Sequence, residues 1–187
     1  GLTGVIVEAT LQLKKVVGPW LETETIPYYS LDEFFHLADM SESEWEYTVS
    51  WIDCFSPEGK GIFMRSNHTN KVKNDPHKKN TLFMPFTPPM SLVNKLTLKP
   101  FNKLYFWLNS VRRGKRLMFY EDFFYPLDHI QNWNRIYGIK GFYQYQIVIP
   151  RKDRKETISK ILSEITRSKQ GSFLAVLKTF GDKKASG

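Results

Sequence analysis

The sequence predicts an α+β domain, because segments with strand periodicity and segments with helix periodicity alternate along its 187 residues. The clearest strand covers residues 45–54, in which large apolar side chains alternate with polar ones. The clearest helix covers residues 151–169, in which isoleucine and leucine recur every three or four residues.

The composition allows a sizeable core and points to an anionic partner. Hydrophobic residues make up 41% of the chain, and the formal net charge is +8. Nucleic acid, a membrane surface and a phosphorylated substrate all fit this charge, as does a plain basic surface without a partner. No zinc-finger spacing or RNA-binding strand supports nucleic acid. The single cysteine, Cys54, excludes an internal disulfide framework.

Local signals place the elements of the first half. Residues 5–13 alternate after a glycine-rich turn, which predicts a half-buried strand. Ser30 and Glu33 have the spacing of a capping box and predict a helix of about ten residues. Residues 61–65 are predicted to form a hairpin with the strand at 45–54, and Asp53 is expected to form the turn that follows that strand.

The middle of the chain is rich in lysine and arginine. Residues 67–90 are interpreted as a long loop, either solvated or closing over an anionic ligand. A helix follows from residue 91 and is expected to break at Pro100. Residues 112–116 are interpreted as a basic turn that is either solvated or holds phosphate.

Residues 123–150, here called the wall segment, combine many aromatic side chains with paired glutamines. A short helix is predicted at 128–137, ending at Gly138, and a strand at 142–149. On that strand Gln144 and Gln146 would point the same way, about 6.5 to 7 Å apart. They would either bind a hydroxylated ligand or form a polar face in water.

The last predicted strand covers residues 172–180, so the segments from 142 to 180 would form a right-handed crossover unit. Lys178 near its end would reach either solvent or an anion. The chain has no phosphate-binding glycine loop, no metal-binding histidine spacing and no nucleophile elbow. We therefore expect no catalytic residue and no metal ligand in it.

Four blocks of sequence carry a family resemblance. They are GLTGVIVEATLQL at the start, SWIDC at 50–54, YPLDHIQNWNRIYGIKGFYQYQIVIP at 125–150 and SFLAVLKTFG at 172–181. These blocks resemble the FAD-linked oxidoreductases of the vanillyl-alcohol oxidase superfamily. The resemblance implies a largely antiparallel sheet with helices packed on one face. It also implies that residues 1–16 are the last strand of an otherwise missing FAD-binding domain, and that residues 17–187 are a substrate-binding domain truncated at its C-terminus.

The resemblance also implies which residues form the site. Those that match the family's substrate pocket are Trp51, Leu127, Trp133, Gln144, Gln146, Lys178 and Phe180, and those that match the turn touching the flavin are Gly1, Leu2, Thr3 and Gly4. Two positions depart from the family pattern. Phe124 stands where a pocket tyrosine is expected and so lacks its hydroxyl, and Ala175 replaces an asparagine.

The chemistry implied by the resemblance is hydride transfer from a secondary alcohol carbon of a sugar to the flavin of FAD. A lipid-linked phosphosugar of the polyprenyl-phospho-ribose type is the expected substrate, and the fragment alone is expected to be inactive. A partner reductase and a cytoplasmic or peripheral membrane location fit this interpretation. An aldonolactone or sugar-alcohol oxidase on the same scaffold is the alternative, and a non-enzymatic module binding anions or nucleic acid is the third hypothesis.

Overall fold

The structure, a computed structural model, describes residues 4–72 and 81–181. Its elements, in chain order, are β1 (Trp20–Tyr28), α1 (Leu31–Ser41), β2 (Tyr47–Ile52), β3 (Gly61–Thr69), β4 (Leu82–Phe83), α2 (Lys95–Val111), β5 (Gly114–Phe119), α3 (Tyr120–Phe124), β6 (Ile130–Gln131), α4 (Arg154–Ser168) and β7 (Val176–Leu177). Short 3-10 helices cover Pro126–His129, Trp133–Tyr137 and Arg151–Asp153.

A five-stranded sheet with the order β5-β1-β3-β2-β7 forms the centre of the fold. Every pairing in it is antiparallel, and β2 and β3 form the predicted hairpin. The α+β class with a largely antiparallel sheet is therefore confirmed. The basic turn predicted at residues 112–116 is shorter than expected, because Gly114, Lys115 and Arg116 already belong to β5 and pair with Thr25, Glu24 and Thr23 of β1.

One face of the sheet is covered by α1. Ser30 caps this helix as predicted, since its side chain accepts a hydrogen bond from the backbone N–H of Glu33 at 3.2 Å. The ring of Phe34 lies 5.6 Å from that of Tyr28 and 6.1 Å from that of Phe63. Leu162 of α4 joins the same buried cluster, so the two helices and the sheet share one core.

The other face is covered by α2. Trp51 and Ile52 are neighbours on β2 and therefore point to opposite faces, yet both are buried. Ile52 belongs to the cluster under α1, whereas the Trp51 ring lies 4.7 Å from that of Tyr105 on α2. Helices thus contact both faces, which corrects the expectation of one covered face. A strand that is apolar on both sides needs cover on both sides.

The helix α2 continues through Pro100, so the predicted break was wrong. Asn94 caps its start by accepting from the backbone N–H groups of Leu96 and Thr97. Leu98 and Asn102 lie on either side of the proline and are both buried. Packing of these side chains outweighs the backbone hydrogen bond that a proline removes.

Three predicted strands are absent or shorter. Residues 4–16 and residues 141–150 contain no helix or strand, and residues 172–180 are reduced to the two-residue β7. The crossover unit is therefore not formed. Alternating side chains make a strand only where a partner edge is available, and no described strand pairs with the first two segments.

Two further predictions are corrected in detail. The loop at 67–90 starts later than expected because β3 runs to Thr69, and it contains β4. Residues 73–80 of that loop lie outside the described residues. The helix at 128–137 is divided into two 3-10 turns around β6, although it ends at Gly138 as predicted.

The assignment of residues 1–16 and 17–187 to two domains stays a prediction. Within the described residues, no helix is long and apolar enough to cross a membrane.

Tyr28 predicts an alkaline limit to stability. Its hydroxyl lies 2.7 Å from the Ser50 hydroxyl in the core, and burial raises its pKa well above the ordinary value. An unfolded tyrosine loses its proton near pH 10, whereas folded Tyr28 keeps it. The stabilisation is thus complete below pH 10 and declines as pH rises further.

We expect Tyr28→Phe to cost about 1 to 3 kcal/mol at neutral pH and to make the alkaline decline shallower. Urea unfolding between pH 8 and 11 measures both effects. An unchanged alkaline decline in the variant would contradict this assignment.

Candidate functional site

The wall segment is held by residues 82–92, a partner that sequence reasoning treated as a loop. β4 and β6 pair in parallel, with Leu82 opposite Ile130. The backbone N–H of Met84 donates to the Gln131 carbonyl at 3.0 Å, and that of Leu92 donates to the Ile136 carbonyl at 2.8 Å. No periodicity marks residues 82–92, so only the pairing itself reveals the contact.

Arg135 and Gly138 fix this contact from the side of the wall segment. The Arg135 guanidinium donates to the carbonyls of Met84 and Pro85 at 3.1 and 3.0 Å. Gly138 has a φ of 72°, and a Cβ there would lie 3.0 Å from backbone atoms of Met90 and Ser91. The glycine therefore serves both the turn and the close approach of two chain segments.

Replacing Arg135 with alanine should loosen the wall segment. Two charge-assisted hydrogen bonds to carbonyls would be lost, at a cost of about 1 to 3 kcal/mol. Amide hydrogen exchange should become faster at Met84 and Leu92, whose N–H groups bond to the wall segment. Arg167→Ala on α4 is the matched control, because within the described residues that arginine pairs with the exposed Glu164 and not with the wall segment. Equal exchange in both variants would contradict the role of Arg135.

A run of aromatic contacts connects the wall segment to the sheet. Neighbouring ring centroids are 4.3 to 6.1 Å apart along the series Trp133, Phe142, Tyr137, Phe173, Phe101, Tyr105 and Trp51. The Trp51 indole N–H also donates to the Phe173 carbonyl at 2.8 Å. Two predicted pocket residues, Trp51 and Trp133, are thus brought to the same side of the sheet. Trp51 is buried, whereas Trp133 is half-buried.

Phe124 and Leu127 lie at the start of the wall segment. The Phe124 ring meets the Tyr47 ring edge-on, with 4.9 Å between centroids, and Leu127 is half-buried in a 3-10 turn. Burial, helped by the neighbouring Glu46 carboxylate, raises the pKa of Tyr47 to about 12. A neutral phenol therefore stands beside the phenylalanine that lacks a hydroxyl. Sequence reasoning missed Tyr47, although its place on the face of Trp51 could have suggested it.

The remaining predicted pocket residues do not take part in this run of aromatic contacts. Gln144, Gln146, Lys178 and Phe180 are exposed. Because the strand at 142–149 is not formed, the expectation that both glutamines share one face is wrong for this structure. Their role in a substrate pocket stays a prediction.

A depression of about 370 Å³ lies next to the wall segment. It opens to solvent and is lined by Thr87, Asn134, Arg135, Gly138, Ile139, Gly141 and Phe142. None of the predicted pocket residues lines it, although Phe142 contacts Trp133. The depression offers the Arg135 guanidinium and an aromatic ring to a ligand.

Asp53 organises the junction between the sheet and α2. One of its oxygens accepts from the Asn102 side-chain amide at 2.8 Å and from the backbone N–H of Phe55 at 3.1 Å. The second bond confirms the predicted turn. The first was missed, because the helix periodicity of residues 91–108 does not show which polar side chain faces the sheet.

The described residues contain no cluster of histidine, cysteine, aspartate or glutamate that could hold a metal ion. Burial raises the pKa of the Cys54 thiol, which donates to the Ser172 carbonyl, so it stays protonated and inert near neutral pH. Of the predicted flavin contacts, Gly1, Leu2 and Thr3 lie outside the described residues. Gly4 is exposed, and among the described residues a Cβ there would meet no atom within 4 Å beyond its chain neighbours.

The chain is similar to a known bacterial oxidase. Decaprenylphosphoryl-beta-D-ribose oxidase of Mycolicibacterium smegmatis is 33% identical over 195 aligned positions, which cover 97% of this chain. The chain resembles decaprenylphosphoryl-beta-D-ribose oxidase. The match covers 42% of the oxidase, so the chain spans less than half the length of that relative. No family model matches the chain.

The extent of the match confirms the resemblance inferred from the four sequence blocks. Because 97% of the chain aligns with the oxidase, the alignment includes the sheet as well as the wall segment. The activity that the oxidase is named for is a property of a protein more than twice the length of the aligned part.

Proposed function

We propose that this chain is the substrate-binding part of an FAD-dependent oxidoreductase that oxidises a secondary alcohol of a sugar. The observation that carries the proposal is the 33% identity to decaprenylphosphoryl-beta-D-ribose oxidase across nearly the whole chain. The name of that enzyme supports a lipid-linked phosphoribose as the substrate class. The basic charge of the chain suits the phosphate of such a substrate.

Among the described residues, Gly4 is the predicted flavin contact whose surroundings can be compared with a flavin. Gly4 is exposed, with open space where a side chain would be, so its backbone can approach a planar ring closely. Most contacts to FAD would come from outside this chain. FAD, when bound, supplies the two-electron acceptor for oxidation of an alcohol to a ketone.

The side chains of this chain would position the sugar rather than react with it. Trp133 and the rings that connect it to Trp51 supply an apolar wall. The exposed amides of Gln144 and Gln146 can each donate to and accept from a sugar hydroxyl. The Lys178 ammonium can pair with a phosphate oxygen.

Phe124 favours a second candidate on the same scaffold. Its ring contacts Tyr47 and offers no hydroxyl where the family pattern has one, so the pocket can prefer a sugar with a different hydroxyl arrangement. An aldonolactone or sugar-alcohol oxidase is this second candidate. Use of molecular oxygen as the electron acceptor by the full-length protein would favour it.

The test uses the full-length protein that contains this chain. We expect flavin absorbance in the purified protein and turnover of a polyprenyl-phospho-ribose. Gln144→Ala and Gln146→Ala should each lower kcat/KM by about 10-fold or more, the value of one or two lost hydrogen bonds. Gln170→Ala, an exposed glutamine that follows α4, should leave kcat/KM unchanged. Absence of bound flavin would refute the enzyme class, whereas bound flavin without turnover would refute only the substrate.

A further inference from the structure

The helix α2 has a second apolar face. Its inner face packs on the sheet through Leu98 and Asn102, which are both buried. On the opposite side, a row of apolar residues recurs every three or four positions, as expected for one face of a helix. This row, here called the outer stripe, consists of Leu96, Pro100, Leu104, Trp107 and Val111.

The outer stripe is open to solvent. Leu96 is 85% exposed, Trp107 60% and Val111 67%. A helix on the surface of a globular protein normally carries polar residues on its outer face. A continuous apolar row on that face marks a surface that another body covers.

Positive charge lies along one side of the stripe and beyond its C-terminal end. Lys99 and Lys103 precede Trp107 in the same i, i+4 row, and Arg112 and Arg113 follow the end of the helix. All four are exposed. No aspartate or glutamate occurs anywhere in residues 76–120. In the described part of the chain, Lys103, Arg112 and Arg113 form no ion pair. The helix and its flanking residues therefore carry positive charge and no carboxylate of their own, which favours contact with anions.

We propose that the outer stripe binds the surface of an anionic lipid bilayer. A 17-residue helix is about 25 Å long and can lie flat at the boundary between headgroups and acyl chains. In this orientation Leu104, Trp107 and Val111 enter the boundary, and the flanking lysines and arginines meet lipid phosphates. Tryptophan is favoured at this depth because its ring is apolar and its N–H is polar.

The charge pattern disfavours a second copy of this chain as the occupant. Symmetric pairing of two α2 helices would place the lysines of one helix beside the cations of the other, without a carboxylate between them. An anionic bilayer removes this repulsion. Binding through the stripe is also independent of what the protein oxidises.

The test is sedimentation of the full-length protein with lipid vesicles. We expect binding to vesicles containing phosphatidylglycerol and little binding to pure phosphatidylcholine, and we expect salt to weaken it. The double variant Leu104→Gln with Trp107→Gln should bind roughly 10- to 100-fold more weakly, because two large apolar side chains no longer leave water. Met40→Gln is the control. This methionine is 58% exposed on α1, which packs on the opposite face of the sheet, so its replacement should leave binding unchanged.

Three results would overturn the proposal. One is the absence of binding to anionic vesicles. The second is equal binding by the double variant when circular dichroism shows that it is folded. The third is a dimer in solution that the double variant abolishes without any effect of lipid, because a second copy would then occupy the stripe. Flavin content and turnover are unaffected by each of these results, so the proposed enzyme function is tested separately.

Discussion

Replacing Gly61 with alanine should remove a large part of the stability of this fold. A Cβ at Gly61 would lie 2.2 Å from the Trp51 carbonyl oxygen and 2.3 Å from the Tyr28 hydroxyl oxygen. Real side chains do not tolerate contacts this short. Gly61 begins β3 and pairs with Tyr28 on one side and Ile52 on the other, so any movement would disturb two ladders of the sheet.

The neighbours of Gly61 cannot move aside at low cost. One is a backbone carbonyl, and the other is a tyrosine that is fully buried and bonded to Ser50. Overpacking in a rigid core costs 1 to 3 kcal/mol in ordinary cases, and we expect at least about 3 kcal/mol here because two short contacts coincide. That loss is a large part of the stability of a typical domain.

Urea unfolding followed by tryptophan fluorescence measures the loss. Gly18→Ala is the matched control, because a Cβ there meets only the Thr69 carbonyl oxygen, at 3.3 Å. We expect that control to cost less than about 1 kcal/mol. A Gly61→Ala chain that unfolds at the same urea concentration as the unaltered chain would show that β1 and β2 do not approach this residue so closely.

The elements that the sequence predicts well are those with local causes. Ser30 and Glu33 are three residues apart, and one hydrogen bond between them starts α1. The β2–β3 hairpin is similar, because its turn residues and alternation lie within one stretch of chain. In both cases the interacting residues are close in sequence, so a local sequence pattern is enough to predict the element.

Elements with distant causes were missed or wrongly expected. β5 begins in a stretch rich in lysine and arginine, yet it forms a strand because it pairs with β1, which is distant in sequence. Residues 142–149 alternate clearly but have no such edge among the described strands, and they form none. Alternation shows that a segment can be a strand, whereas pairing decides whether it becomes one.

The residues of the candidate site show the same difference between local patterns and distant contacts. Family resemblance selected Trp51 and Trp133, and the aromatic run shows that these residues reach the same side of the sheet. Arg135 and its carbonyl partners were missed, because contact across about 50 residues leaves no local pattern. The predicted positions of Gln144 and Gln146 depended on a strand that these residues do not form. Neither sequence alternation nor strand pairing therefore fixes their positions relative to Trp51.

Trp51→Ala should lower the free energy of unfolding by an amount similar to that of Gly61→Ala. The indole is buried, packs against Tyr105 and donates to the Phe173 carbonyl at 2.8 Å. Loss of a buried tryptophan side chain costs about 3 to 5 kcal/mol. The aromatic run is also cut at its end on the sheet, so hydrogen exchange should become faster around Phe173 and Tyr137.

Trp51→Phe distinguishes two possible roles of Trp51, which are structural support of the site and direct contact with the substrate. Phenylalanine keeps an aromatic ring against Tyr105 but cannot donate to Phe173, which should cost about 1 kcal/mol for the hydrogen bond and somewhat more for the smaller ring. If Trp51 supports the site through packing and does not touch the substrate, Trp51→Phe lowers the free energy of unfolding and leaves the KM of the full-length protein unchanged. If Trp51 touches the substrate, KM rises by more than the change in stability explains. The burial of Trp51 behind Phe173 and Tyr105 predicts the first result, and a clear rise in KM without loss of stability would return Trp51 to the pocket wall.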